Sequence, residues 1–216
     1  MSLDCSCPDD GILADIPTSD CPFDLKQIQK LIFSTAGNVA WNILAEVAEG
    51  KPIITARLDI LADVAVQLAA ADNTKIVVTP FIGGDPIIEA GEAITEGGND
   101  NSTLNGVELV TGTGPSKFTA VFKSLTPAQE EGLKLAMCKN IEIYLISQKG
   151  RIYAYQPDSA VDSITGFPTQ AFWVGDRGNQ GFGTNDTVAI QFSMPSGWSS
   201  KMIEVDPVDY NPLYDL

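Results

Sequence analysis

The sequence predicts an α+β protein: a mainly antiparallel β-sandwich with a flanking helix, N-terminal helical segments and long arms. Three observations lead there. The first is an unbroken strand–helix–strand–strand series between Lys117 and Tyr155. The second is a cleanly alternating strand from Thr187 to Met194. The third is a glycine-rich stretch, Ile82 to Gly114, in which regular periodicity stops.

Residues 1–24 read as an extended N-terminal arm, rich in aspartate and broken by Pro8, Pro17 and Pro22. Cys5, Cys7 and Cys21 lie in it, with Cys138 as a distant fourth thiol. Zinc sites usually show paired C-x-x-C knuckles, so this spacing predicts reduced thiols rather than a metal site. Asp24 then precedes Leu25, Ile28, Leu31 and Ile32, spaced for a short helix capped by the aspartate. Trp41, Ile43, Leu44 and Val47 continue a helical pattern up to Gly50. Between Thr55 and Ala71 the pattern is ambiguous, although Leu58, Leu61, Val64 and Leu68 fit a helix. Lys75 to Phe81 reads as a strand that Pro80 ends.

Ile82 to Gly114 forms a glycine-punctuated arm, and a loop this long within a domain usually serves function or assembly. Its apolar residues Pro86, Ile87, Ile88, Leu104, Val107, Leu109 and Val110 are too many for a free loop. The interleaved glycines make the arm costly to order alone, which predicts burial against a neighbouring subunit. Gly98 to Ser102 lacks the ligand spacing of a calcium loop. Gly112 to Lys117 is no phosphate loop, because Pro115 removes an amide and no glycine precedes the lysine.

Lys117 to Lys123 alternates with a period of two, as a half-buried strand does. Thr126-Pro127-Ala128-Gln129 has the form of a capping box and opens a helix whose apolar stripe is Leu133, Ala136 and Met137. Ile141 to Ser147 is a second strand, and Gly150 turns it into a third, Arg151 to Tyr155. A loop from Asp158 to Gly166 leads to a short strand, Gln170 to Val174. A second glycine-rich loop, Gly175 to Asp186, precedes the strand Thr187 to Met194. Met202 to Val205 follows, and the acidic tail Asp206 to Leu216 carries Tyr210 and Tyr214, which suit it to docking. No linker or internal repeat divides residues 25–216, which read as one globular domain.

Composition excludes several function classes. The net charge is -15, from 28 acidic and 13 basic residues, which repels nucleic acids and anionic membranes. With no histidine, the chain has no Ser-His-Asp or Cys-His nucleophile, no His-ligated zinc and no histidine pH switch. No stretch reaches the roughly 18 apolar residues that span a bilayer. Met1-Ser2-Leu3-Asp4 has neither a basic start nor an apolar run, so synthesis in the cytoplasm is expected.

The strand–helix–strand unit at Lys117 to Ile146, the glycine-rich arm and the strand Thr187 to Met194 together resemble virion structural proteins of tailed bacteriophages. The closest resemblance is to the tail-tube type. It implies a non-enzymatic sandwich subunit that assembles with itself into stacked rings or a tube, beside other virion proteins. The arm would bridge neighbours, and DNA would pass an acidic lumen without specific binding. No catalytic residue, cofactor, metal or membrane partner is expected. A capsid decoration or head–tail connector protein is an alternative. A carbohydrate-binding module or small glycan hydrolase is another, using Asp158, Asp162, Asp176 or Asp186 near Trp173 and Trp198.

Overall fold

Strand β1 (Ile28–Thr35) shows how this chain builds its interior: Leu31 and Phe33 enter one core, and Ile32 enters another on the opposite face. The computed structural model describes residue 25 and residues 27–38, 40–42, 56–98, 106–158, 163–179 and 181–216. The helix expected from Leu25 to Ile32 is therefore a strand. A strand covered on both faces carries a near-continuous apolar run, in which a helical spacing can always be picked out. The β-branched Ile28, Ile32 and Thr35 and the ring of Phe33 favour the extended form.

After β1 come β2 (Trp41–Asn42) and helix α1 (Leu61–Ala69). Trp41 is thus in a strand, whereas Ile43, Leu44 and Val47 lie outside the described residues, as do residues 1–24 with their cysteines. The strand expected over Lys75 to Phe81 is shorter, β3 (Val77–Val78). The glycine-rich segment is less a loop than a set of short strands, β4 (Ile87–Glu89), β5 (Ala93–Glu96) and β6 (Leu109–Thr113). Then follow β7 (Ser116–Lys123), helix α2 (Pro127–Ala136), β8 (Ile141–Ser147) and β9 (Ile152–Tyr155). The remaining strands are β10 (Ser163–Ile164), β11 (Phe167–Pro168), β12 (Gln170–Val174), β13 (Thr187–Met194) and β14 (Met202–Val205).

The chain is thus α+β and mostly antiparallel sheet. One six-stranded sheet runs in the order β14-β9-β8-β1-β3, with β11 also paired to β8. A four-stranded sheet runs β12-β13-β7-β4, and two ribbons, β2–β10 and β5–β6, complete the set. The first core holds Leu31, Phe33, Ile143 and Leu145 from the larger sheet with Phe118, Phe122, Ile190 and Phe192 from the smaller. Phe118 and Phe192 face each other across β7 and β13 and stack with centroids 4.6 Å apart. The second core, on the other face of β8, joins Tyr144, Ile146 and Ala154 to Val64 of α1 and to Leu213. All seven residues of β8 are consequently buried.

Helix α2 begins as its capping box dictates: the Gln129 amide donates to Thr126 Oγ1 at 3.3 Å, and the Thr126 amide donates to Gln129 Oε1 at 2.8 Å. Leu133 enters the first core, Ala136 packs against it, and Met137 stays 37 % exposed. Helix α1 has no side-chain cap of its own, and the C-terminal tail supplies one: Asp209 Oδ1 accepts from the Leu61 amide at 2.9 Å. The tail is docked further by Tyr210, whose hydroxyl donates to the Leu58 carbonyl, and by Lys30, whose Nζ reaches the Leu213 carbonyl at 2.7 Å. Tyr214, the other tyrosine expected to anchor it, is exposed.

Candidate functional site

The arm leaves the four-stranded sheet at its edge. Ile88 in β4 sits opposite Phe118 of β7 and packs against the first core, while Ile87 faces outward. Beyond it the two chains of the arm are pinched together. The Gly114 amide donates to the Glu92 carbonyl at 2.7 Å, and the Gly91 amide donates to Ser116 Oγ at 3.2 Å. A Cβ on Gly91 would collide with the Gly114 carbonyl, so the crossing requires glycine there.

Past the pinch, β5 and β6 form a hairpin with a bulge between Ile94 and Thr95. The Thr111 hydroxyl closes that irregularity by donating to the Ile94 carbonyl at 3.2 Å. Both strands are exposed almost throughout. Val107, Leu109 and Val110 stand 54 %, 53 % and 69 % exposed, with Ile94 beside them at 50 %. Of the other expected interface residues, Pro86 and Ile88 line a cavity of about 480 Å³ at the base of the arm, together with Leu25, Ile28 and Trp198. Leu104 lies outside the described residues.

A two-stranded ribbon is marginal in water, and one with apolar side chains in solvent is more so. The arm is also acidic, with six Asp or Glu and no Lys or Arg between residues 82 and 114. The ribbon thus sets exposed apolar side chains among charges of one sign. Ile94 was not legible as part of this surface from the apolar runs alone. The signal was the β-branched pair Ile94-Thr95 between Glu92 and Glu96.

No protein-family profile, curated protein or solved structure matches the chain.

Two of the four aspartates named for sugar chemistry, Asp176 and Asp186, are held in ion pairs. Asp176 accepts from Lys134 at 2.7 Å, Lys134 also meets Glu130 at 3.0 Å, and Arg177 joins Glu130 to Asp186. Lys134 holds the Asp176 carboxyl below its ordinary range, and Asn179 with Arg177 does the same for Asp186. A glycosidase acid needs the opposite shift. Trp198 is buried, Trp173 is half exposed, and Asp162 lies outside the described residues. Asp158 is exposed at the end of a described segment.

Glu142 and Tyr144 are among the buried titratable groups that the sequence alone does not mark. Glu142 is 8 % exposed, accepts from the Gly37 amide at 3.1 Å through Oε1, and is pushed up by burial. Burial likewise pushes the Tyr144 hydroxyl, which accepts from Trp41 Nε1 at 3.1 Å, above its ordinary range. Among the described residues, no three His, Cys, Asp or Glu side chains group to hold a metal, and Cys138 is an exposed free thiol. No described helix is long and apolar enough to cross a membrane.

Proposed function

We propose that this chain is a non-enzymatic virion structural protein that assembles with itself into rings or a tube through its hairpin arm. One observation carries the reading: β5 and β6 expose Ile94, Leu109 and Val110 on a ribbon too small to be stable uncovered. In this reading the six- and four-stranded sheets form the β-sandwich of a tail-tube subunit, flanked by α2. Strand addition or apolar contact with a neighbour gives the ribbon its cover. The net charge of -15 supports the role of a conduit, since acidic walls let DNA pass without holding it.

The test is the mass of the particle. Sedimentation velocity and negative-stain imaging of the full chain are expected to show rings or tubes. Removing residues 92–113, with Gly91 and Gly114 rejoined by a short turn, should leave a folded monomer. A full chain that stays monomeric at high concentration overturns the proposal, as does an armless variant that assembles like the full chain.

A further inference from the structure

The strand orders β14-β9-β8-β1-β3 and β12-β13-β7-β4 end on four strands, and three of those are bordered by acid. Strand β14 contains Glu204 and runs into Asp206 and Asp209; β4 contains Glu89 and follows Asp85; β12 runs into Asp176. Strand β3 is the exception, with Lys75 two residues before it. Alongside β3 lies a groove of about 840 Å³ that continues across to α2. Its apolar lining includes Phe33, Val77, Leu135 and Ile141, of which Leu135 is 61 % and Val77 51 % exposed. Its charged lining is Lys75, Lys139 and Asp72. Neither lysine forms an ion pair among the described residues, and Asp72 is turned to its own loop, accepting from the Thr74 amide at 2.9 Å.

We infer that the acidic hairpin β5–β6 of one copy docks in the groove between β3 and α2 of the next copy. This rests on the assembly reading above and names the surface that receives the arm. The match is chemical. The hairpin offers Ile94, Leu109 and Val110 with Glu92, Glu96 and Glu108 among them, and the groove offers apolar walls with two lysines. In a chain of net charge -15, Lys75 and Lys139 give an acidic strand two cations to meet at this groove. No residue of the hairpin lines the groove of its own chain, so donor and acceptor are different surfaces. Contacts of that kind run head to tail, and they close into a ring or continue as a filament. Strand β3, paired to β1 on one side and with no strand on the other among the described residues, also gives the incoming ribbon a backbone to align with.

Charge exchange tests it on the full chain. One variant carries K75E and K139E in the groove, and the other carries E96K and E108K on the hairpin. All four positions are exposed, so both variants should melt like the wild type. Sedimentation velocity should show each alone associating about tenfold or more weakly than the wild type, because like charges then face each other. Mixed in equal amounts, they should reassemble, since each hairpin then meets a groove of opposite charge. If the wild type assembles and both variants assemble equally well, the groove assignment is wrong while the assembly reading stands. If both variants are monomeric and mixing restores nothing, the pairing of these two surfaces is likewise wrong. If the wild type itself never associates, the assembly reading fails first.

Discussion

Leu133 and Leu135 sit two positions apart on α2 and meet different surroundings. Leu133 is 6 % exposed in the first core, whereas Leu135 is 61 % exposed on the groove wall. Leu133→Ala should cost about 2–5 kcal/mol, the usual range for emptying a well-packed leucine site. Leu135→Ala should change stability by no more than about 0.5 kcal/mol, as surface substitutions do. Urea denaturation of the two variants distinguishes them, and equal costs would mean that the helix lies on another face. Glu142 offers a pH-dependent counterpart. Burial raises its folded-state pKa, with the Gly37 and Gly166 amides pulling it partly back. A carboxyl raised on folding favours the folded state while protonated. That contribution is present below the unfolded pKa of about 4.3 and is lost as pH rises through the folded value. Glu142→Gln keeps an acceptor for Gly37 and carries no charge. It should gain on the wild type between pH 4 and pH 7 in denaturant midpoint, and a difference independent of pH would contradict the argument.

Elements were legible where one face alone is buried or where a cap is written locally. Strands β7 and β13 alternate between buried residues and half-buried or exposed ones, which a period of two reveals directly. The capping box of α2 is likewise spelled by four consecutive residues. Strand β1 was misread because its two faces meet two different cores, and continuous burial erases the period that tells strand from helix. The hairpin showed as apolar and glycine-rich but not as paired strands, because four or five residues broken by a bulge and by Gly112 give too little alternation. Its acceptor groove was not legible at all, since Lys75 and Lys139 meet only through the fold. The cap of α1 is a further case of this kind, with Asp209 arriving from far along the chain to accept from Leu61. Asp209→Ala should destabilise the chain by about 0.5–2 kcal/mol, as loss of an N-terminal cap does, and Asp209→Asn should recover most of it. Equal stability of the alanine and asparagine variants in urea would show that the tail does not cap the helix.

For the molecule as a whole, two electrostatic effects of opposite sign act on association, and range decides between them. Copies of net charge -15 repel one another over the whole facing surface, whereas in the proposed contact Lys75 and Lys139 attract the hairpin glutamates. At 0.01 M salt the screening length is about 30 Å, longer than an interface is deep, so the summed repulsion dominates. At about 0.15 M it falls to about 8 Å, which screens distant like charges while close pairs keep most of their attraction. At 1 M it is about 3 Å, so the contact pairs weaken too and apolar burial by Ile94, Leu109 and Val110 is what remains. Self-association should therefore strengthen from 0.01 to about 0.15 M and then decline partly, not wholly, towards 1 M. Sedimentation velocity at the three salt concentrations measures this. The K75E/K139E variant should lose the decline and strengthen steadily with salt, because it retains only repulsion and apolar contact. A wild type that weakens monotonically from the lowest salt would mean that short-range ion pairs outweigh the net charge throughout. Wild-type and variant curves of the same shape would remove the two groove lysines from the interface.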